Sequence, residues 1–298
     1  MNQHQDNHRL GVAAALGAFT VWGLVPVYFK WLVAVAPVEI IAHRVLWSIP
    51  VLVGFLLLRD GPGFWRRMIL PPRTVAMLAV SGLLVVVNWL IFVWAVNNNQ
   101  ILSTSLGYFI NPLVNVLLGF VFLHERLTRL QTAAVGVAAA GTAYLTWFLG
   151  VAPWISLTLA LTFGLYGLTR KKLGVGPMVG LLWETLLLAT PALVYMGWMA
   201  TQGAVGFGHI SLHMDLLLVL AGVITVLPLV WFNVAARIMN LSTIGFFQYL
   251  SPTVTFLLAV FVYGEPFTRG YAVAFTCIWL ALALVSTETL LRSRRPKG

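Results

Sequence analysis

The chain has 298 residues, 60% of them hydrophobic and 9% charged, against roughly 45–50% and about 25% in soluble domains. Its mean hydropathy is +0.92 and its formal net charge is +10. That balance excludes a soluble globular domain and predicts a protein solvated largely by lipid.

A membrane span needs about 20 mostly apolar residues to cross about 30 Å of hydrocarbon. Ten such runs are predicted, at residues 10–33, 37–58, 75–96, 101–123, 130–149, 153–172, 177–200, 214–236, 243–263 and 270–291. Together they leave no room for a soluble domain, and the alternating segments of a porin-like barrel are absent from the sequence. The polar start MNQHQDNHR runs into a first span too long for a signal-peptide core and without a small-residue cleavage site, so that span is expected to be retained.

Span 1 carries Trp22 and Tyr28, aromatic side chains suited to a cavity wall or to packing. Span 2 holds His43 and Arg44, and a charge inside hydrocarbon is costly enough to be a functional candidate. Arg44 lies about 10 Å from the nearer face at 1.5 Å per residue. Its planar fork suits a carboxylate or phosphate; the alternative is a structural role, capping carbonyls or snorkelling to headgroups. Span 3 offers Asn88 and Trp89, and span 4 offers Tyr108, Asn111 and Asn115 around Pro112. Span 5, TAAVGVAAAG, presents a small-residue face for close helix contact, within the scaffold or in a homodimer.

Tyr166 in span 6 is a further aromatic candidate. Span 7 contains Glu184, about 10 Å from the face opposite Arg44's, suited to carrying a coupling proton or to accepting structural hydrogen bonds. The difference in depth argues against a direct Arg44–Glu184 salt bridge. His209 and His213 follow at a spacing of four, and no metal site is read in them. Span 8 contributes Trp231 and Asn233, and span 9 contributes Gln248, Tyr249 and Thr255 around Pro252. Proline removes an intrahelical hydrogen bond and frees a carbonyl four residues earlier, so Pro112 and Pro252 are candidate hinges. Cys277 in span 10 is the single cysteine, which excludes an internal disulfide.

With the N-terminus taken as cytoplasmic, Arg9, Arg59, Arg66, Arg67, Arg73, Arg126, Arg129, Arg170, Lys171, Lys172, Arg237, Arg292, Arg294, Arg295 and Lys297 fall inside. Only Lys30 and Arg269 fall outside, and Arg44 is within a span. This is a positive-inside pattern. It places both termini in the cytoplasm and assigns the basic excess to topology and anionic lipid headgroups, not to nucleic acid.

PLVNVLLGFVFLHERLTR, residues 112–129, returns 140 positions later as PTVTFLLAVFVYGEPFTR, residues 252–269. WGLVPVYFKWL (22–32) likewise aligns with FGLYGLTRKKL (163–173), and LST occurs at 102–104 and 241–243. Five spans per half is an odd number, so the second half enters the membrane upside down. The expected fold is an all-α membrane protein of ten transmembrane helices in a five-plus-five inverted repeat, with 1–150 as the first half and 151–298 as the second. Such repeats are typical of secondary transporters, with substrate held near the midplane between the halves. The pairs Glu125/Arg129 and Glu265/Arg269 close the two copies as helix-surface pairs, except that Pro266 makes the second a cap for the following helix.

The segments WGLVPVYFKWL, EIIAHRVLWSIP, SLGYFINPLVNVLLGFVFLHERL and STIGFFQYLSPTVTFLLAVFVYGEPF resemble the RarD branch of the EamA family, within the drug/metabolite transporter superfamily. The resemblance spans essentially the whole chain. It implies ten helices in the bacterial inner membrane and a central cavity lined mainly by spans 1, 3, 4, 6, 8 and 9. No nucleotide-binding G-x-x-x-x-G-K-[ST] run is present, so no cofactor and no enzymatic activity are expected. The partners expected are a small-molecule substrate, membrane lipids and a coupled proton or counter-substrate. The alternatives are a channel for small solutes and, behind it, a membrane-embedded lipid-modifying enzyme.

Overall fold

The structure is a computed structural model that describes residues 2–124, 126–238 and 247–293, with side chains at 9–122, 124, 126–235 and 247–287. Among the described residues there are ten α-helices and no strand. They are α1 (Asn2–Trp31), α2 (Pro37–Asp60), α3 (Pro72–Asn97), α4 (Ile101–Leu123), α5 (Arg129–Leu149), α6 (Trp154–Leu173), α7 (Pro177–Thr201), α8 (Leu212–Ile238), α9 (Leu250–Leu257) and α10 (Arg269–Ser293). A 3-10 turn at Pro62–Met68 follows α2, and a π turn at Leu258–Val262 extends α9. The start of the expected ninth span, residues 243–246, lies outside the described residues.

Eight helices are long and apolar enough to cross a membrane, and Leu250–Val262 is a shorter apolar helix. α6 falls short because its last turn carries Arg170, Lys171 and Lys172. Local chemistry explains the helix ends. α2, α3 and α7 each place proline in the first turn, where its missing N–H would have no partner anyway. α5 opens with a capping box: the Gln131 N–H donates to Thr128 Oγ1 and the Thr128 N–H to Gln131 Oε1.

The main helix neighbours form an ordered set. α1 packs on α8 and α9, and α6 packs on α3 and α4; α2 packs on α8, and α7 on α3. The remaining main contacts join α2 to α7, α4 to α9 and α5 to α10. Exchanging each helix of the first five with its counterpart in the second five leaves this set unchanged. Two glycines show the same exchange in atomic detail. A Cβ on Gly23 of α1 would lie 2.6 Å from Val254 of α9, and one on Gly164 of α6 would lie 2.9 Å from Val114 of α4. Both glycines permit close helix approach, and Val114 and Val254 are 140 positions apart.

The small-residue face of α5 buries Ala134, Ala138 and Gly141. The Cβ position of Gly141 is 2.5 Å from that of Cys277 on α10, so this face serves the scaffold of the chain itself.

One end of the bundle, the Lys30 end, is tied together by helices far apart in the chain. Glu265 accepts the N–H groups of Ile101 and Leu102 at 2.7 and 2.8 Å. It therefore caps the start of α4, not the helix that follows it. Ser103 Oγ meets Tyr271 OH at 2.8 Å, Ser105 Oγ donates to the Pro252 carbonyl, and Lys30 Nζ donates to Asn99 Oδ1. Burial along α4 follows this closure: residues 101–113 are buried apart from half-buried Tyr108 and Pro112, whereas Asn115, Leu117 and Phe120–Phe122 are exposed.

Candidate functional site

Arg44 stands in the second turn of α2 and points into the bundle. Its Nε–H donates to Thr225 Oγ1 on α8 at 2.8 Å. The guanidinium lies 3.9 Å from the Trp89 ring centroid on α3 and 5.9 Å from that of Phe29 on α1. Tyr28 and Tyr108 are its electrostatic neighbours, and Arg44 has no carboxylate within 4.0 Å among the described residues. Arg44, Trp89 and Tyr108 are half-buried.

The wall around Arg44 is fixed by hydrogen bonds. Tyr28 OH donates to the Leu217 carbonyl at 2.7 Å, and Tyr108 OH donates to Asn88 Oδ1 at 3.1 Å. Asn88 Nδ2 in turn donates to the Leu159 carbonyl and to Thr162 Oγ1 on α6, each at 3.0 Å. Tyr28, Arg44, Asn88, Trp89 and Tyr108, all read from the sequence, thus come together from four helices. α2 joins the expected cavity helices through Arg44.

Glu184 forms a second polar centre. It is fully buried on α7 and accepts from Ser81 Oγ of α3 at 2.5 Å and from Tyr166 OH of α6 at 3.4 Å. Arg170 Nη1 reaches to 3.7 Å from its carboxylate, crossing the place a Cβ would occupy on Gly180. Glu184 therefore pairs with Arg170 and not with Arg44. Aromatic contacts link the two centres along α6: Tyr108 to Phe163 at 6.0 Å, then Phe163 to Tyr166 at 6.0 Å.

The other sequence candidates fall outside these centres. His43 is buried, accepts the Trp47 indole N–H at 3.1 Å and packs its ring on Phe207. Glu39 beside it accepts the Gly206 and Phe207 N–H groups. Trp22 packs against Phe19 and Phe232, Trp231 lies over Gly17, and Asn233 donates to Leu229 of its own helix. Tyr249 bonds Ser286, while Gln248 is half-buried. Thr255 is buried and donates to the Gly23 carbonyl at 3.2 Å; Asn115, its counterpart in the first copy, is exposed. Asn111, next to Pro112, is 1% exposed with neither amide atom bonded. Asp215 accepts the Gly208 N–H, His209 meets the Phe207 carbonyl, and no cluster of three metal-ligating side chains occurs among the described residues.

Sequence reasoning missed Thr225, Ser81 and Arg170. A signal existed for the first, since Thr225 is the one hydroxyl-bearing residue of α8 and a buried guanidinium needs an acceptor. Glu125 lies outside the described residues, so its pairing with Arg129 does too.

Comparison with known proteins gives the context of this site. Residues 9–147 match the EamA-like transporter family. An "Uncharacterized transporter" of Vibrio cholerae is 45% identical over 97% of this chain and 96% of that protein. The Escherichia coli "Protein RarD" is 43% identical over 96% of this chain and 97% of that protein. A solved crystal structure aligns with a TM-score of 0.63 at 17% identity, covering 96% of this chain and 98% of the solved one, a likeness of fold.

Proposed function

We propose that this chain, a membrane transporter that belongs to the RarD branch of the EamA-like transporter family, is a secondary carrier working by alternating access. Its two halves, 1–150 and 151–298, form a five-plus-five inverted repeat of ten spans, and substrate binds beside Arg44 where the halves meet. The paired neighbour set supports the repeat, because inverted halves of like sequence can exchange packing and so expose one site to either side. The basic asymmetry of the loops supports a cytoplasmic position for both termini and a periplasmic position for the Lys30 end, in a bacterial inner membrane.

The observation that carries the reading is a difference between two equivalent contacts. Thr255 is 2% exposed and bonded to Gly23, whereas Asn115 is exposed beside Gly164. One member of the pair is closed while the other is open, as in a carrier resting toward the cytoplasm. Cysteine at position 115 or 255, in a Cys277→Ala background, tests this with an impermeant maleimide in oriented vesicles. Substrate or an imposed gradient is expected to raise labelling at one position while lowering it at the other. Labelling of both from both faces would instead indicate a channel, and labelling indifferent to substrate would remove the carrier reading.

Closure of the Lys30 end rests on Glu265 in the same reading. Burial pushes its carboxyl above the ordinary value of 4.5, and the Leu102 and Ile101 amides and the Lys30 charge pull it back. The amide contacts need acceptor oxygens, and protonation converts one of them to a donor. The ionised, closing form is thus lost as pH falls through a range above the usual carboxylate value. A thiol placed at Ser105, buried in this contact, is expected to gain labelling from the periplasmic side on mild acidification. Glu265→Gln should show the acid behaviour at pH 7; labelling that ignores both pH and Gln would remove Glu265 from the closure.

A further inference from the structure

We infer that Arg44 is the substrate-recognition residue of this site and that the substrate is an organic anion with one carboxylate on an apolar, preferably aromatic, body. The inference rests on the surroundings of Arg44 being the transport site.

Arg44 is a charge without a counter-charge. Its Nε is spent on Thr225, while neither Nη group meets an acceptor among the described residues. Those Nη atoms are not sealed in protein either, unlike the buried and unbonded Nη1 of Arg170. Guanidinium does not lose its proton in proteins, so it cannot relieve its burial by becoming neutral. The Trp89 face attracts it, and the tyrosine hydroxyls nearby are neutral dipoles. A full negative charge is what the site lacks, and a substrate is the group free to bring one.

The geometry narrows the kind of anion. With Nε held by Thr225 and the guanidinium carbon 3.9 Å from the Trp89 ring centroid, the outer Nη edge is left as a two-pronged donor. Two parallel N–H groups match the two oxygens of a carboxylate. A single cation, with no lysine, histidine or second arginine among its electrostatic neighbours, balances one negative charge and not the several of a nucleotide diphosphate. No carboxylate stands near to take an ammonium group, which disfavours a free amino acid. Around the guanidinium stand the Trp89 and Phe29 rings, with Tyr108 close by, surfaces that hold a ring or hydrocarbon body.

Purified protein in lipid nanodiscs tests this by calorimetry and thermal shift with benzoate, indole-3-acetate, benzamide, phenyl phosphate, phenylalanine and tetraphenylphosphonium. The two carboxylates are expected to bind and to raise the melting temperature, with the other four at least tenfold weaker. Arg44→Gln should weaken carboxylate binding on the order of 10- to 100-fold, the worth of charge-assisted hydrogen bonds. Arg44→Lys, which keeps the charge and loses the fork, should fail to restore it. Thr225→Val leaves the charge in place and frees the guanidinium; it should weaken the same ligands several-fold, and it serves if Arg44→Gln does not fold. Carboxylate affinity unchanged by Arg44→Gln, or binding of benzamide, phenyl phosphate or the cation as tight as benzoate, would overturn the assignment, as would no response to either carboxylate. Counterflow in proteoliposomes separates this from the transport reading. Carboxylate that binds through Arg44 without counterflow leaves the recognition role standing and removes the carrier, whereas counterflow of a neutral or cationic solute indifferent to Arg44→Gln does the reverse.

Discussion

Glu184→Ala is expected to destabilise the folded chain by roughly 3–5 kcal/mol, the cost of breaking a buried ion pair from one side. Glu184 is fully buried and Arg170 is 12% exposed, so removal of the carboxylate strands a guanidinium that has little water to turn to. The Tyr166 hydroxyl loses its acceptor at the same time, and Ser81 is left with the Leu78 carbonyl alone. Glu184→Gln keeps an acceptor oxygen for them and should fall between wild type and Ala. Thermal unfolding of detergent-purified protein, followed by size-exclusion chromatography, measures the series. Because the damage comes from the partner left behind, Glu184→Ala combined with Arg170→Ala should be more stable than Glu184→Ala alone. A double variant no better than the single would show that the pair is not coupled.

Gly222→Ala is expected to be nearly as severe, although it adds a single methyl group. A Cβ there would stand 2.3 Å from the Trp47 carbonyl oxygen and 2.4 Å from its carbon. These are backbone atoms of α2, so no rotamer change relieves the overlap, and α2 must move off α8. Overpacking of this kind costs about 1–3 kcal/mol, more where the neighbour cannot yield. Thr225 lies one turn further along α8 and holds Arg44 Nε, so the same displacement should loosen the guanidinium. Gly54, also on α2, has nothing within 4 Å of its Cβ position. Gly54→Ala should therefore be neutral or gain up to about 1 kcal/mol from helix propensity. Equal melting temperatures for Gly222→Ala and wild type would contradict the close α2–α8 approach.

Helix limits were the most legible feature of the sequence, because hydrocarbon thickness sets a length that composition alone reveals. The expected span 101–123 coincides with α4, and 177–200 differs from α7 by one residue. Charges in unusual places were legible for a related reason: Arg44 and Glu184 announce themselves by their cost in lipid. What they touch was not legible. The pairing of Glu184 with Arg170 depends on an arginine reaching across a glycine one helix away. Glu265 read as a cap for its own next helix, yet it serves α4, more than 160 positions back in the chain. Local sequence carries no record of which distant helix end lacks an acceptor. Among the aromatics, Trp89 stands against Arg44 while Trp22 packs among phenylalanines, and composition cannot separate those two fates.

The basic last turn of α6 has a consequence for how the protein is made. During synthesis a segment so weakly apolar has little drive of its own to leave the translocon for lipid. Its polar partners are already in place by then, since α3 and α4 emerge from the ribosome first. Asn88 waits for the Leu159 carbonyl and Thr162, and the Ser103 carbonyl waits for the Ser156 hydroxyl. On the ten-span reading proposed above, α3 and α4 would offer α6 these partners as it leaves the translocon, and the order of translation would be part of the information that builds the bundle.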